Sequence, residues 1–232
     1  MACEDSTGNN NTPPGKVILV QKSAEDALVE TGIDAQYDLN TKRDGIFLQW
    51  YSVEEENLAA YDIYRSSVDS SSAFKRIAAI PKISNNIDTF YVDNSPEVYP
   101  QSGLSALRYY YYVVARDAEG AVGERSRVEN YKLEEYSVLN APDDHTKFDS
   151  TFQWNFPVNQ PDSFVFRIMR QGDSAPFFVM QHQNTYFPTQ DWTMFELGLN
   201  SLPAGIYQWR IDIIGPEENN GSESDWLSFR VQ

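Results

Sequence analysis

The chain is poor in the residues that most often carry chemistry. One cysteine, Cys3, in 232 residues excludes an intrachain disulfide. His145 and His182 are the only histidines. Neither has ligand-like spacing around it, so no metal site is expected. The sequence has no Gly-x-Ser-x-Gly elbow and no glycine-rich phosphate loop, so nucleophile and nucleotide motifs are missing and no cofactor is expected. No apolar run approaches the roughly 20 residues of a membrane-spanning helix. Positive charge is scarce: 18 Lys and Arg stand against 34 Asp and Glu, for a net charge of −16. Nucleic acid and anionic membrane surfaces are therefore disfavoured partners, and solubility is the plain consequence of the charge. The carboxylate runs Glu54-Glu55-Glu56 and Glu217-Glu218 fall in expected loops and read as solvated charge. Asp117 and Glu119 lack the spacing of a calcium loop.

What is abundant is aromatic. The chain holds 14 Tyr, 13 Phe and 5 Trp. These residues favour pleated, half-buried surfaces, which points to an all-β fold.

Two stretches resemble each other. "IFLQWYSVEEENLAAYDIYRS" begins at Ile46, and "STFQWNFPVNQPDSFVFRIMRQ" begins at Ser150. Each closes one strand on Gln-Trp, at Trp50 and Trp154, then crosses a polar loop into a strand of period two. Those strands run Tyr61, Ile63, Arg65 and Phe166, Ile168, Arg170. Downstream, "YYYYVVARDAEG" at Tyr109 matches "YQWRIDIIGPEENNG" at Tyr207. The chain thus repeats once, with a period of about 100 residues. Expected strands are 17–21, 46–51, 59–66, 74–80, 89–93, 107–117 and 125–133 in the first copy. In the second they are 136–140, 150–155, 163–170, 176–181, 191–197, 205–214 and 225–231. Seven short strands per copy is the pattern of a β-sandwich.

The expected organisation is a polar tether at 1–15, one domain at 16–135 and a second at 136–232. Asn140-Ala141-Pro142 lies in the joining segment, where proline interrupts pairing. The first domain carries an insertion at about 23–42 with no counterpart in the second. Ser23 and Asp26 are placed to cap a short helix there.

Taken together, these residues resemble two consecutive fibronectin type III domains. The resemblance rests on Trp50 and Trp154, on "YDIYRS" at 61–66, and on a leucine ahead of a tyrosine, Leu104 before Tyr109 and Leu202 before Tyr207. It also rests on "SDWLSFRV" at 224–231. It covers about 46–133 and 136–232 and is weaker over 16–45. It implies two immunoglobulin-like sandwiches. It says almost nothing about function, because such sandwiches host many roles.

In "RYYYYVVARD" the register implied by the resemblance turns Tyr109, Tyr111, Val113 and Ala115 inward. Tyr110, Tyr112, Val114 and Arg116 turn outward. The corresponding outward set of the second copy, Gln208, Arg210 and Asp212, reads as a solvated face. Tyr64, beside Asp62, is expected on the same face as Tyr110 and Tyr112. These three tyrosines with Val114 form the candidate binding patch, suited to a protein or a glycan because tyrosine offers rigid area with a polar tip. The alternative is that residues 23–42 or the second domain cover the patch.

The start, "MACEDSTGNNNTPPG", resembles the mature start of a bacterial lipoprotein, with Ala2-Cys3 at the modified position. That implies a lipid on Cys3 and an extracytoplasmic, envelope-anchored protein. The function expected is non-catalytic binding or scaffolding of a protein or glycan partner. A purely structural spacer or assembly subunit is the alternative.

Overall fold

The computed structural model describes residues 12–21, 35–36, 45–84, 86–99, 107–145, 147–156, 161, 163–183 and 187–232. Cys3, Leu104, the Ser23–Asp26 cap and all of the 23–42 insertion except 35–36 lie outside them. The described residues form strands and one short 3-10 turn at Pro96–Val98, with no α-helix among them.

In chain order the strands are β1 (Ile18–Leu19), β2 (Ala35–Gln36), β3 (Gly45–Tyr51), β4 (Leu58–Ser66), β5 (Lys75–Pro81), β6 (Phe90–Asp93), β7 (Arg108–Asp117) and β8 (Glu129–Leu133). They continue as β9 (Val138–Ala141), β10 (Thr151–Asn155), β11 (Ser163–Arg170), β12 (Phe178–Gln183), β13 (Thr189–Thr193), β14 (Gly205–Ile214), β15 (Asn220–Glu223) and β16 (Leu227–Val231). The chain divides into two compact units. The first holds 1–20, 49–91 and 110–129, and the second holds 21–48, 92–109 and 130–232.

In the first unit, β4 is flanked by β5 on one side and β7 on the other, both antiparallel. Trp50 and Tyr51 of β3 pair with β1, and the Trp50 amide donates to Thr89 O at 2.9 Å. Alternation decides what is buried: Tyr61, Ile63, Tyr111, Val113 and Ala115 are fully enclosed, and Trp50 meets Tyr61 edge to face at 5.3 Å. Such pairs add about 0.5–1.5 kcal/mol beyond the area they bury. After β4 the chain turns on Asp69. Its Oδ1 accepts from the Ser71 and Ser72 amides, each at 2.7 Å, and its Oδ2 accepts from the Ser72 hydroxyl at 2.9 Å. A carboxylate side chain that mimics a backbone turn in this way shapes the loop that leads into β5.

In the second unit, β9–β10–β13 form one sheet. β12–β11–β14 form another, with β16 and β15 pairing the far side of β14. Phe152 and Trp154 from the first sheet pack on Phe164, Phe166, Tyr207, Trp209 and Phe229 from the second. The Tyr207 hydroxyl donates to Pro203 O at 2.8 Å, closing a tyrosine corner. Three strands packed on a larger antiparallel sheet around an aromatic core make a fibronectin type III-like sandwich, as the resemblance implies. β8 also belongs to this unit. The Lys132 and Glu134 amides donate to Asn219 O and Gly221 O at 3.1 and 2.9 Å, so β8 runs parallel to β15. Gly45 opens β3 at φ +135°, and a Cβ there would stand 2.2 Å from Asp93 O, so only glycine fits.

The repeat is visible in detail. The Val113 amide donates to Ser126 Oγ at 3.0 Å, and the Ser126 amide donates to Val113 O at 2.9 Å. The Ile211 amide and Ser224 repeat both bonds, each at 3.0 Å. Two differences from expectation stand out. Strand 191–197 is instead β13 at Thr189–Thr193, followed by a turn in which the Glu196 carboxylate accepts from Thr193 N and Oγ1. β15 lies in "NNGSE", which has turn composition. It is extended because β14 and β8 offer it backbone partners on both sides.

Candidate functional site

The four tyrosines alternate as their register requires. Tyr109 and Tyr111 are buried, and Tyr110 and Tyr112 are half-buried on the opposite face. Tyr112 stands directly opposite Tyr64 of β4. Neighbours in register on one face bring their Cβ atoms to about 5 Å, and here the two rings stack 4.7 Å apart at 12°. Tyr110 sits two pairs along, opposite Ser66, on the same face but outside the stack.

Two groups complete the patch that patterning did not reveal. Phe74 ends the Asp69 turn, and its ring lies 4.7 Å from Tyr112 at 56°. Ala73, at φ 57°, bends the chain just before it. The Arg125 guanidinium stands 5.9 Å above the Tyr112 ring. The sequence held a weak cue for each: an aromatic closing the polar run "SSSAF", and an arginine in the repeated "RSR" segment. Arg76 of β5 completes the row, directly opposite Tyr64. Burial pushes the Tyr112 phenol above its ordinary pKa, the nearby Tyr64 adds to the rise, and Arg125 opposes it.

Beside the aromatic row, Asp62 is buried and takes two cations. Arg116 Nε donates to it at 3.0 Å, and Arg76 approaches at 3.5 Å. The bond to Asp62 is the main reason the Arg116 guanidinium holds its proton more tightly than usual. Val114, expected as an open member of the patch, is only 4% exposed. The register sets it directly opposite Asp62, which is itself buried.

The corresponding face of β14 overturns the expected solvated surface. Arg210 and Asp212 are 4% and 1% exposed, and Arg167 of β11 is 1% exposed. The register sets Arg167 opposite Arg210, a like-charge pair that would be unfavourable by itself. Asp212 resolves it. It accepts from Arg167 Nε at 2.6 Å and contacts Arg210 Nε at 2.7 Å. Glu223 of β15 pairs with Arg210 Nη2 at 3.0 Å, and Arg210 lies 4.6 Å over the Trp226 ring. Two cations and two anions thus balance inside the protein. In the repeat, Arg210 stands where Tyr112 stands, and Glu223 where Arg125 stands. One copy uses this position for a partly open aromatic row, and the other for a buried ion network.

The remaining candidates separate. Cys3 lies outside the described residues. His182 packs edge-on against Trp192 at 4.7 Å, as a side chain of the sandwich. His145 is exposed beside Asp144 at 3.2 Å, in a shallow groove with Lys147, Phe148 and Arg230. Asp117 is buried and its Oδ1 accepts the Ala121 amide at 2.7 Å, capping the turn after β7. Among the described residues no three acidic, histidine or cysteine side chains gather as a metal site. The carboxyls of Asp69 and Glu196 are held below their ordinary range, Asp69 at about 2, and in both cases turn hydrogen bonds are the cause.

No protein-family profile and no curated protein sequence matches this chain. Among solved structures it is similar to the chicken CNTN1 FN1-FN3 domains, at 12% identity and a TM-score of 0.37. That match covers 95% of this chain and 69% of the other.

Proposed function

We propose that this protein is a non-catalytic binding or scaffolding protein of the cell envelope. It is tethered by a lipid on Cys3 and engages a protein or glycan partner through the face bearing Tyr64, Tyr110 and Tyr112. The observation that carries the reading is the half-open stacked pair Tyr64–Tyr112 with Phe74 and Arg125 around it. Tyrosine and arginine on one rigid face are the side chains that dominate recognition energetics. The sister face of β14 is filled with ion pairs and offers no such surface.

The test is to probe protein and glycan arrays with the purified protein and with the Tyr110→Ala/Tyr112→Ala double variant. Ligands lost in the double variant support the face as the binding site, and ligands bound equally by both refute it. The tether is tested separately by metabolic fatty-acid labelling of wild type and Cys3→Ser in producing cells. Label in both, or in neither, removes the anchor from the reading.

The spacer alternative has its own support in the second unit, where the hydrogen bonds from β8 to β15 hold "ENYKL" against "NGSE". It predicts silent arrays and no effect of the tyrosine substitutions.

A further inference from the structure

We propose that the partner of the Tyr64–Tyr112 face is an acidic, extended polypeptide segment that adds as a strand along the free edge of β5. This rests on the reading of that face as a binding face and names the chemistry of its occupant.

The first observation is the edge. β5 pairs with β4 on one side, and among the described residues no strand pairs its other side. The Lys82 amide donates to Ala59 O at 2.7 Å, and the register sets Ala60 opposite Pro81 and Asp62 opposite Ala79. Hydrogen-bonded and non-bonded pairs alternate along an antiparallel ladder, so Ala79 and Pro81 turn their backbone polar groups away from β4. Both residues are exposed. Pro81 has no N–H to leave unpaired, as suits an outward position on an edge strand. Only a polypeptide supplies the N–H and C=O groups that continue such a ladder. A glycan uses the aromatic platform but leaves the edge unsatisfied.

The second observation is charge. On a chain of net charge −16, Arg76, Arg116 and Arg125 cluster around Tyr64, Tyr112 and the carboxylate of Asp62. That carboxylate is buried and already committed to Arg76 and Arg116. Cationic side chains on an edge repel strands of the same sign, and a second β5 is one of these, so self-pairing along this edge is disfavoured. A strand with acidic side chains reverses the sign. Every second side chain of the added strand falls on the face shared by Arg76, Tyr64 and Tyr112. Carboxylates at those positions meet Arg76 first, whose side chain is 54% exposed. The alternate requirement of the partner is thus acidic residues at period two.

The experiment uses the full chain and a capped peptide alternating glutamate and valine, read by fluorescence polarisation. Controls are the same peptide N-methylated at alternate residues and an oligomeric uronic acid. The expected result is saturable binding of the plain peptide that weakens with added salt and is lost on N-methylation. Arg76→Glu/Arg125→Glu should weaken it by about tenfold or more. Ala79→Pro, which removes an outward N–H and leaves the β4 ladder intact, should also weaken it by about tenfold or more. Tryptophan near-ultraviolet circular dichroism checks that each variant is folded. Peptide binding indifferent to Ala79→Pro and to N-methylation overturns strand addition. Binding of the uronic acid alone, sensitive to Tyr112→Ala, overturns the polypeptide partner but leaves the binding face standing. No binding of either probe overturns this inference, and the array comparison then judges the face independently.

Discussion

Asp212→Asn is the sharpest test of how the second unit is held together. Asp212 is 1% exposed and sits between two arginines. Arg167 Nε donates to its Oδ2 at 2.6 Å, and Arg210 Nη2 reaches the same oxygen at 3.3 Å. Asparagine preserves volume and one acceptor but removes the charge that offsets the Arg167–Arg210 juxtaposition. Glu223 remains for Arg210 at 3.0 Å, while Arg167 faces a neutral amide where its Nε met a carboxylate at 2.6 Å. Removing one member of a buried ion network costs about 3–5 kcal/mol, because the burden is the uncompensated charge more than the lost contact. Since asparagine keeps one acceptor, the lower end applies, about 3 kcal/mol. In a chain of this length that corresponds to a fall in Tm of roughly 6–12 °C. The assay is urea unfolding followed by tryptophan fluorescence, with the slope required to stay constant so that the midpoint reports stability. A loss below about 1 kcal/mol would refute the idea that this network is desolvated and mutually dependent. The companion variant Arg167→Met/Asp212→Leu removes a cation and an anion together and leaves Arg210 with Glu223. It should recover most of the loss, because a buried pair replaced by apolar groups is often neutral.

Three further outcomes are expected. Ser126→Ala and Ser224→Ala each strand a backbone amide, of Val113 or Ile211, and each should cost about 1–3 kcal/mol by the same unfolding assay. The Asp69 carboxyl is held at about 2 by the turn it caps, below its ordinary value. Its contribution to the 67–74 loop is therefore present above the unfolded pKa and is lost as pH falls through about 2. NMR should find the Phe74 ring shifts constant from neutral pH to about 4 and moving only below it, whereas Asp69→Ala should move them at neutral pH. The Tyr112 phenol should ionise above the ordinary tyrosine range in a spectrophotometric titration. Arg125→Ala should raise it further, because Arg125 is the one neighbour that favours the phenolate.

The strands follow from local pattern. "RYYYYVVARD" can turn only every second side chain to one face, which separates Tyr109 and Tyr111 from Tyr110 and Tyr112. Which pair turns inward was implied by the resemblance, and in the structure Tyr109 and Tyr111 are the buried ones. That Tyr64 shares a face with Tyr112 was legible from the register the resemblance implied; that the two stand directly opposite each other was not. Phe74 and Arg125 were less legible. A loop residue's contacts depend on how the turn is closed, here by Asp69 and by Ala73 at positive φ.

By itself the sequence determined which residues share a strand face, because side-chain alternation is a property of the extended backbone alone. It could not decide what lies over a face. Gln208, Arg210 and Asp212 have the composition of a solvated surface, yet Arg210 and Asp212 are enclosed. Opposite charges from β11 and β15 neutralise them there, and those partners are remote in sequence. Nor could composition announce β15. "NGSE" has no strand propensity, and its extended form comes from backbone partners on β14 and β8 that only the tertiary structure brings alongside.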